Sequence, residues 1–135
     1  MTPNERIITV VNRLTALVNP HTVTRSYQDL DRFEERDTAI FVVLSGGFPA
    51  FGALFDEEDE RHEFVILAQQ YVPDGTDGAT RENLEFSFLE YVRQLVREDG
   101  THNAPLNIEL KKAHSSRQMD PNHAWMLAEL EFNDL

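Results

Sequence analysis

"TAIFVVLSGGFPAFGALFDEEDERHEFVILAQQYVPDG", residues 38–75, sets two apolar segments on either side of glycines, phenylalanines and a run of acids. Ala39 to Leu44 is continuously apolar, and Gly46 and Gly47 end the run. It is too short for a helix of that hydrophobicity, so it predicts a strand covered on both faces, near the middle of a sheet. His62 to Val72 resumes strand character and stops at Pro73, before the loop "PDGTDGAT". Between them, "FPAFGALFDEEDER" places Phe48, Phe51 and Phe55 beside Pro49 and Gly52. That mixture suits an irregular strand or a bulged arm better than a helix.

Outward from this pair of strands, the periodicity changes. Thr2, Pro3 and Glu5 form a helix start, with a capping hydroxyl, a proline at the first helical position and a carboxylate placed to close a capping box. Ile7, Val11, Leu14 and Val18 follow at helical spacing, with Ile8 and Leu17 widening the stripe until Asn19 and Pro20 stop it. "TVTRSY", residues 22–27, has the β-branched content of a short strand, and "QDLDRFEERD" after it reads as a charged loop. From Thr80, a plausible cap, Leu84, Phe88, Tyr91, Val92 and Leu95 share one helical stripe, and Gly100 follows Arg97 at its end. The last part alternates at Leu106, Ile108 and Leu110, turns through "SSRQMDPNH", and alternates again at Met126, Ala128, Leu130 and Phe132. The order is α-β-β-β-α-β-β. It predicts an α+β fold in which a mainly antiparallel sheet carries two helices on one face.

At 135 residues the chain fits a single domain, residues 1–135. It contains no cysteine, which excludes disulfides, thiolate metal sites and a cysteine nucleophile. The start has no basic-then-apolar signal pattern and no apolar stretch long enough to span a bilayer, so an intracellular product without a membrane partner is expected. Twelve basic residues against twenty-four acids give a net charge of −12, which opposes phosphate backbones and anionic membranes. No basic patch stands out to offset it.

Motifs for chemistry are missing. His21, His62, His102, His114 and His123 show no internal i, i+4 pair and no HExxH, and read as surface or turn histidines. "LSGGF" lacks the spacing of a phosphate loop and reads as a turn or bulge needing positive φ. "HSSR" is not a nucleophile elbow. The run Asp56, Glu57, Glu58, Asp59, Glu60 lacks the alternation and sixth-position glycine of a calcium loop. No catalytic residue, cofactor or metal ligand is therefore assigned. Phe48, Phe51 and Phe55 fit either a core or an exposed partner patch.

The same central stretch resembles the middle of the tail terminator proteins of long-tailed bacteriophages, the minor tail protein U-like family. There an apolar strand leads through a small-residue turn and an acidic connection into an alternating strand, a proline-containing loop and a helix. The close is similar too: the turn "RQMDPNH", then Trp125 and the alternating "MLAELEF". The likeness spans residues 38–132, and the first helix more loosely; its signals are positional rather than an invariant motif.

The resemblance implies a structural virion protein of phage or prophage origin, not an enzyme. Its protomers form a hexameric ring on the completed tail tube. The ring stops tube polymerisation and offers its other face to the head–tail connector, while DNA passes through without specific binding. An isolated chain can stay monomeric where the interface is weak without the tube. The location implied is the virion tail, reached from the host cytoplasm during assembly. Candidate interface or lumen residues are Phe48, Phe51, Phe55, Asp56, Glu57, Glu58, Asp59, Glu60 and Arg61: carboxylates lining a bore repel phosphates, or else keep an exposed arm soluble until a partner meets it. A neck, or head–tail completion, protein is the near alternative. An acidic DNA mimic is a more distant one, because the acids bunch instead of spacing along a face. A small enzyme would need a buried carboxylate or histidine in a concave pocket.

Overall fold

The computed structural model describes residues 1–48 and 61–133. Helix α1 (Pro3–Val18) begins with the expected reciprocal cap. Thr2 Oγ1 accepts the Glu5 N–H at 3.2 Å and the Glu5 carboxylate accepts the Thr2 N–H at 3.1 Å. Ile7, Val10, Leu14 and Val18 are buried, Val11 and Leu17 are marginal, and Ile8 faces solvent. Three of the four expected stripe positions are thus buried, and Val10 takes the inward place expected of Val11, on a face that meets a second helix as well as the sheet.

Strand β1 (Thr22–Thr24) pairs in parallel with β2 (Ile40–Gly47). The segment expected to be a charged loop contains one helical turn, α2 (Asp29–Arg32). Carbonyls of Ser26 and Tyr27 accept the N–H groups of Asp29 and Leu30 and start that turn. Leu30 then packs on Ile40 and Val42, on the face of β2 opposite the main core. This is why Ile40 to Val43 are all buried, as an unbroken apolar strand requires. Gly46 and Gly47 are the last two residues of β2, so the strand ends at the glycines as expected, through a bulge between Ser45 and Gly47. Neither is among the residues with positive φ. Gly46 is needed for space: a Cβ there would stand 3.1 Å from the Glu63 carbonyl oxygen.

Strand β3 (His62–Tyr71) lies at the centre, antiparallel to β2 on one side and to β5 (His123–Phe132) on the other. Strand β4 (Ile108–Ser115) pairs antiparallel with β5 and forms the far edge, so the order is β1-β2-β3-β5-β4. The result is an α+β fold with a mostly antiparallel sheet. Its main core joins α1 and the third helix, α3 (Gly78–Asp99), to the inward residues Phe41, Phe64, Ile66, Met126 and Leu130. The N-cap of α3 is Asp77, not Thr80. Asp77 has the extended backbone a cap needs, and its Oδ1 accepts the Thr80 N–H at 2.8 Å.

Helix α3 buries charge along with apolar surface. Its inward stripe reads Arg81, Glu85, Phe88, Val92, Leu95, Asp99, with polar groups at both ends. At the C-terminal end, Asp99 Oδ1 accepts the Leu106 N–H at 2.8 Å and Oδ2 the Ile108 N–H at 3.2 Å. Arg13 Nη1 of α1 donates to the same carboxylate at 3.0 Å, and its Nη2 donates to the Ala104 carbonyl at 3.1 Å. One buried carboxylate therefore ties α1, α3 and the start of β4 together. Replacing it leaves two backbone donors and a cation without their acceptor. Asp99→Ala is expected to cost about 3 kcal/mol or more, and Asp99→Asn, which retains an acceptor, less. Urea denaturation of the two variants measures the difference.

Candidate functional site

The segment singled out by the sequence joins β2 to β3. Phe51, Phe55, Asp56, Glu57, Glu58, Asp59 and Glu60, and with them the expected irregular strand or arm, lie outside the described residues. Phe48 and Arg61 flank the segment. Phe48 is 43% exposed, yet its ring stacks on His62 with centroids 4.4 Å apart and planes 7° apart, so it combines the core and surface roles weighed for it.

His62 itself is a correction. Expected at a surface or turn, it is 0% exposed, held between Phe48 and Phe132. The alternation of β3 explains this: His62 points inward with Phe64, and Glu63 points out. The bulge in β2 brings Ser45 Oγ to 2.7 Å from His62 Nε2, while Nδ1 has no hydrogen-bond partner. Burial lowers the His62 pKa and the nearby Arg6 charge lowers it further, so the ring is held neutral. His21 is likewise no surface residue in function: its Nδ1 accepts the Ala39 N–H at 2.8 Å, and burial lowers its pKa.

The sheet continues the negative charge of the acidic segment. Glu63, Glu131 and Glu109 stand in register across β3, β5 and β4. Lys111 Nζ donates to Glu109 at 3.0 Å, which raises the lysine pKa. Glu131 adds to the shift and Arg61 opposes it. Arg61 is thus near enough to Lys111 for its charge to act on it. Among the described residues no group of histidines and carboxylates could hold a metal ion, and no helix is long and apolar enough to cross a membrane.

A second region was missed by the sequence reading. The turn between β4 and β5 is gripped from α3: Arg81 donates to the carbonyls of Asp120 and Pro121, and Glu85 accepts from Ser116 Oγ and, at 3.0 Å, from the Trp125 N–H. Arg117 and Gln118 adopt left-handed backbone, with φ of 55° and 60°. Such conformations cost energy in residues other than glycine and persist where the surroundings impose them. Two open grooves of about 470 Å³ and about 440 Å³ meet here and share Ser115, Arg117 and Trp125. Met119, on the rim, is 81% exposed. A signal for the grip was present in the sequence, because Arg81 and Glu85 fall on the same helical positions as Phe88, Val92 and Leu95.

Buried His62 and half-buried His21 give the protein a defined acid limb. A proton on His21 Nδ1 would replace an acceptor facing the Ala39 N–H with a donor, and a charged His62 would face Arg6. Their folded pKa values lie below the unfolded value of about 6.5, so the unfolded chain binds more protons in that range. Stability is complete above about pH 6.5 and falls as the pH drops below it. Urea midpoints taken between about pH 7.5 and 5.5 should show this decline, and His21→Asn, which keeps an acceptor for Ala39, should flatten it. A midpoint independent of pH in the parent protein would remove the assignment.

Compared with known proteins, the chain matches no protein-family model and no curated protein.

Proposed function

We infer that the chain is a ring-forming structural protein of a bacteriophage tail. It caps the completed tube, ends polymerisation and presents the surface to which the head–tail connector joins. The observation that supports this most directly is the placement of the acidic connection in the sequence. It lies between an apolar strand and an alternating strand, as in the tail terminator family, and β3, which follows it, carries Glu63 in register with buried Glu131 and exposed Glu109. A ring that turns this surface towards its bore presents carboxylates to the passing DNA. No counterions are then released from the phosphates to hold the DNA in place.

The protein acts in this reading through surfaces, not through a reaction. Phe48 and the phenylalanines and acids after it belong to the tube- or neighbour-facing contact, and the working location is the virion tail. The rest of the fold has the rigidity the role needs: both sides of β2 are covered, and α3 anchors the last hairpin at its two ends.

Mixing the purified protein with its cognate tube protein under tube-forming conditions tests the proposal by electron microscopy. Ring-capped tubes of limited length are expected. Changing Asp56, Glu57, Glu58, Asp59 and Glu60 to lysine should leave circular dichroism unchanged while impairing capping or genome passage. Uncapped tubes of unchanged length, with folded protein in excess, would turn the assignment to a neck protein that joins the virion at another step.

A further inference from the structure

The two edges of the sheet differ in charge and in shape. At the β4 edge, Lys112 and Arg117 are exposed and His114 is half-exposed beside the grooves around Trp125 and Met119. Both lysines of this acidic chain, Lys111 and Lys112, are on this one strand. Lys111 is engaged by Glu109, and His114 Nε2 lies 2.9 Å from Glu129, which leaves Lys112 and Arg117 as the outward cations of the edge. The opposite edge is β1, followed by five carboxylates against two arginines between residues 29 and 37. Asp31, Glu34, Glu35 and Asp37 are exposed there. Tyr27, at the start of that segment, is 58% exposed.

We propose that these edges are the two halves of a head-to-tail contact between copies of this chain, with the Tyr27 edge of one copy docked on the Trp125 groove of the next. The inference rests on the ring reading above and names its interface. Charge complementarity selects the occupant. A chain of net charge −12 repels its own copies except where a cationic surface meets an acidic one, and the edges of this sheet provide that pair. A cationic edge cannot be its own partner, so the contact is heterologous. Heterologous contacts close into rings when the rotation allows.

The docking is through side chains and not by adding a strand. β4 is bulged between Leu110 and Lys112 and carries consecutive exposed residues, both of which block strand addition. β1 is only three residues long. What the groove offers instead is a fixed shape. Arg81 and Glu85 hold the turn from beneath, so little ordering remains to oppose binding. An aromatic ring beside carboxylates matches Trp125 and Met119 beside Arg117.

Reciprocal charge reversal tests the contact. One variant carries Lys112→Glu and Arg117→Glu, the other Asp31→Lys, Glu34→Lys and Glu35→Lys. Sedimentation velocity at high protein concentration and low ionic strength should show assembly of the parent protein and loss of the assembled species in each variant alone. Assembly should return when the two are mixed, since each reversed edge then meets its complement. Trp125, the only tryptophan, reports folding and groove occupancy through its emission. Tyr27→Ala and Met119→Ala, both at exposed positions, should weaken assembly without a change in fold. A parent protein that stays monomeric would overturn the contact, as would a reversed variant that assembles like the parent, or a mixture of folded variants that does not assemble. The tube-capping experiment separates the two proposals: rings that cap tubes but ignore charge reversal refute this interface alone, and a confirmed contact without capping refutes the tail role alone.

Discussion

The charges buried on α3 are the constraint on which the β4–β5 half of the molecule depends. A helix packed on a sheet can satisfy its inner stripe with apolar residues alone, and Phe88, Val92 and Leu95 do so here. Arg81, Glu85 and Asp99 extend that stripe at both ends with groups that cannot be buried unless they are hydrogen-bonded. Each has found backbone partners in the hairpin: turn carbonyls for Arg81, the Trp125 N–H for Glu85, and the first β4 N–H groups for Asp99. The helix thus specifies where the hairpin starts and where it turns. An apolar stripe would hold the same layers together but would not fix that register.

This also explains why Arg117 and Gln118 can stay in left-handed backbone. The turn around them is fixed by bonds made to residues on either side, Ser116 before and Asp120 and Pro121 after. Gln118 is further crowded against Gly78 at the start of α3, where any Cβ would collide with its side chain. The local cost is offset by partners elsewhere, and the product is a rigid rim presenting Arg117 and Met119 to solvent.

Much of the architecture was legible because it follows from period and punctuation. The capping box of α1, the two-sided burial of β2, the alternation of β3 and β5 and the apolar stripe of α3 are local patterns that the structure realises. The misses share another cause. α2 forms because Leu30 has a vacant sheet face to cover, and Asp77 displaces Thr80 as cap because the extended backbone is at Asp77. His62 is buried because strand phase, not residue type, decides which face it takes. Gly46 is glycine because of a carbonyl on the neighbouring strand. Apart from the local cap at Asp77, these depend on how distant parts of the chain are brought together. The groove at Trp125 was hidden for the same reason, since its rim, its floor and its clamp come from β4, β5 and α3.

The charge distribution connects these features to assembly. A uniformly acidic molecule would stay monomeric by self-repulsion, and a uniformly complementary one would polymerise without limit. Here both lysines and Arg117 lie at one sheet edge while acids outnumber arginines beside the other, and both edges resist strand pairing through shortness, a bulge and lysine. Indiscriminate sheet extension is disfavoured, and the contact proposed between the edges is a single oriented one. Such a contact is sensitive to mass action: sparse in dilute solution, populated at high protein concentration, and reinforced when a template holds neighbours side by side. The proposed tube-capping role would need that behaviour, because rings that formed freely would compete with capping.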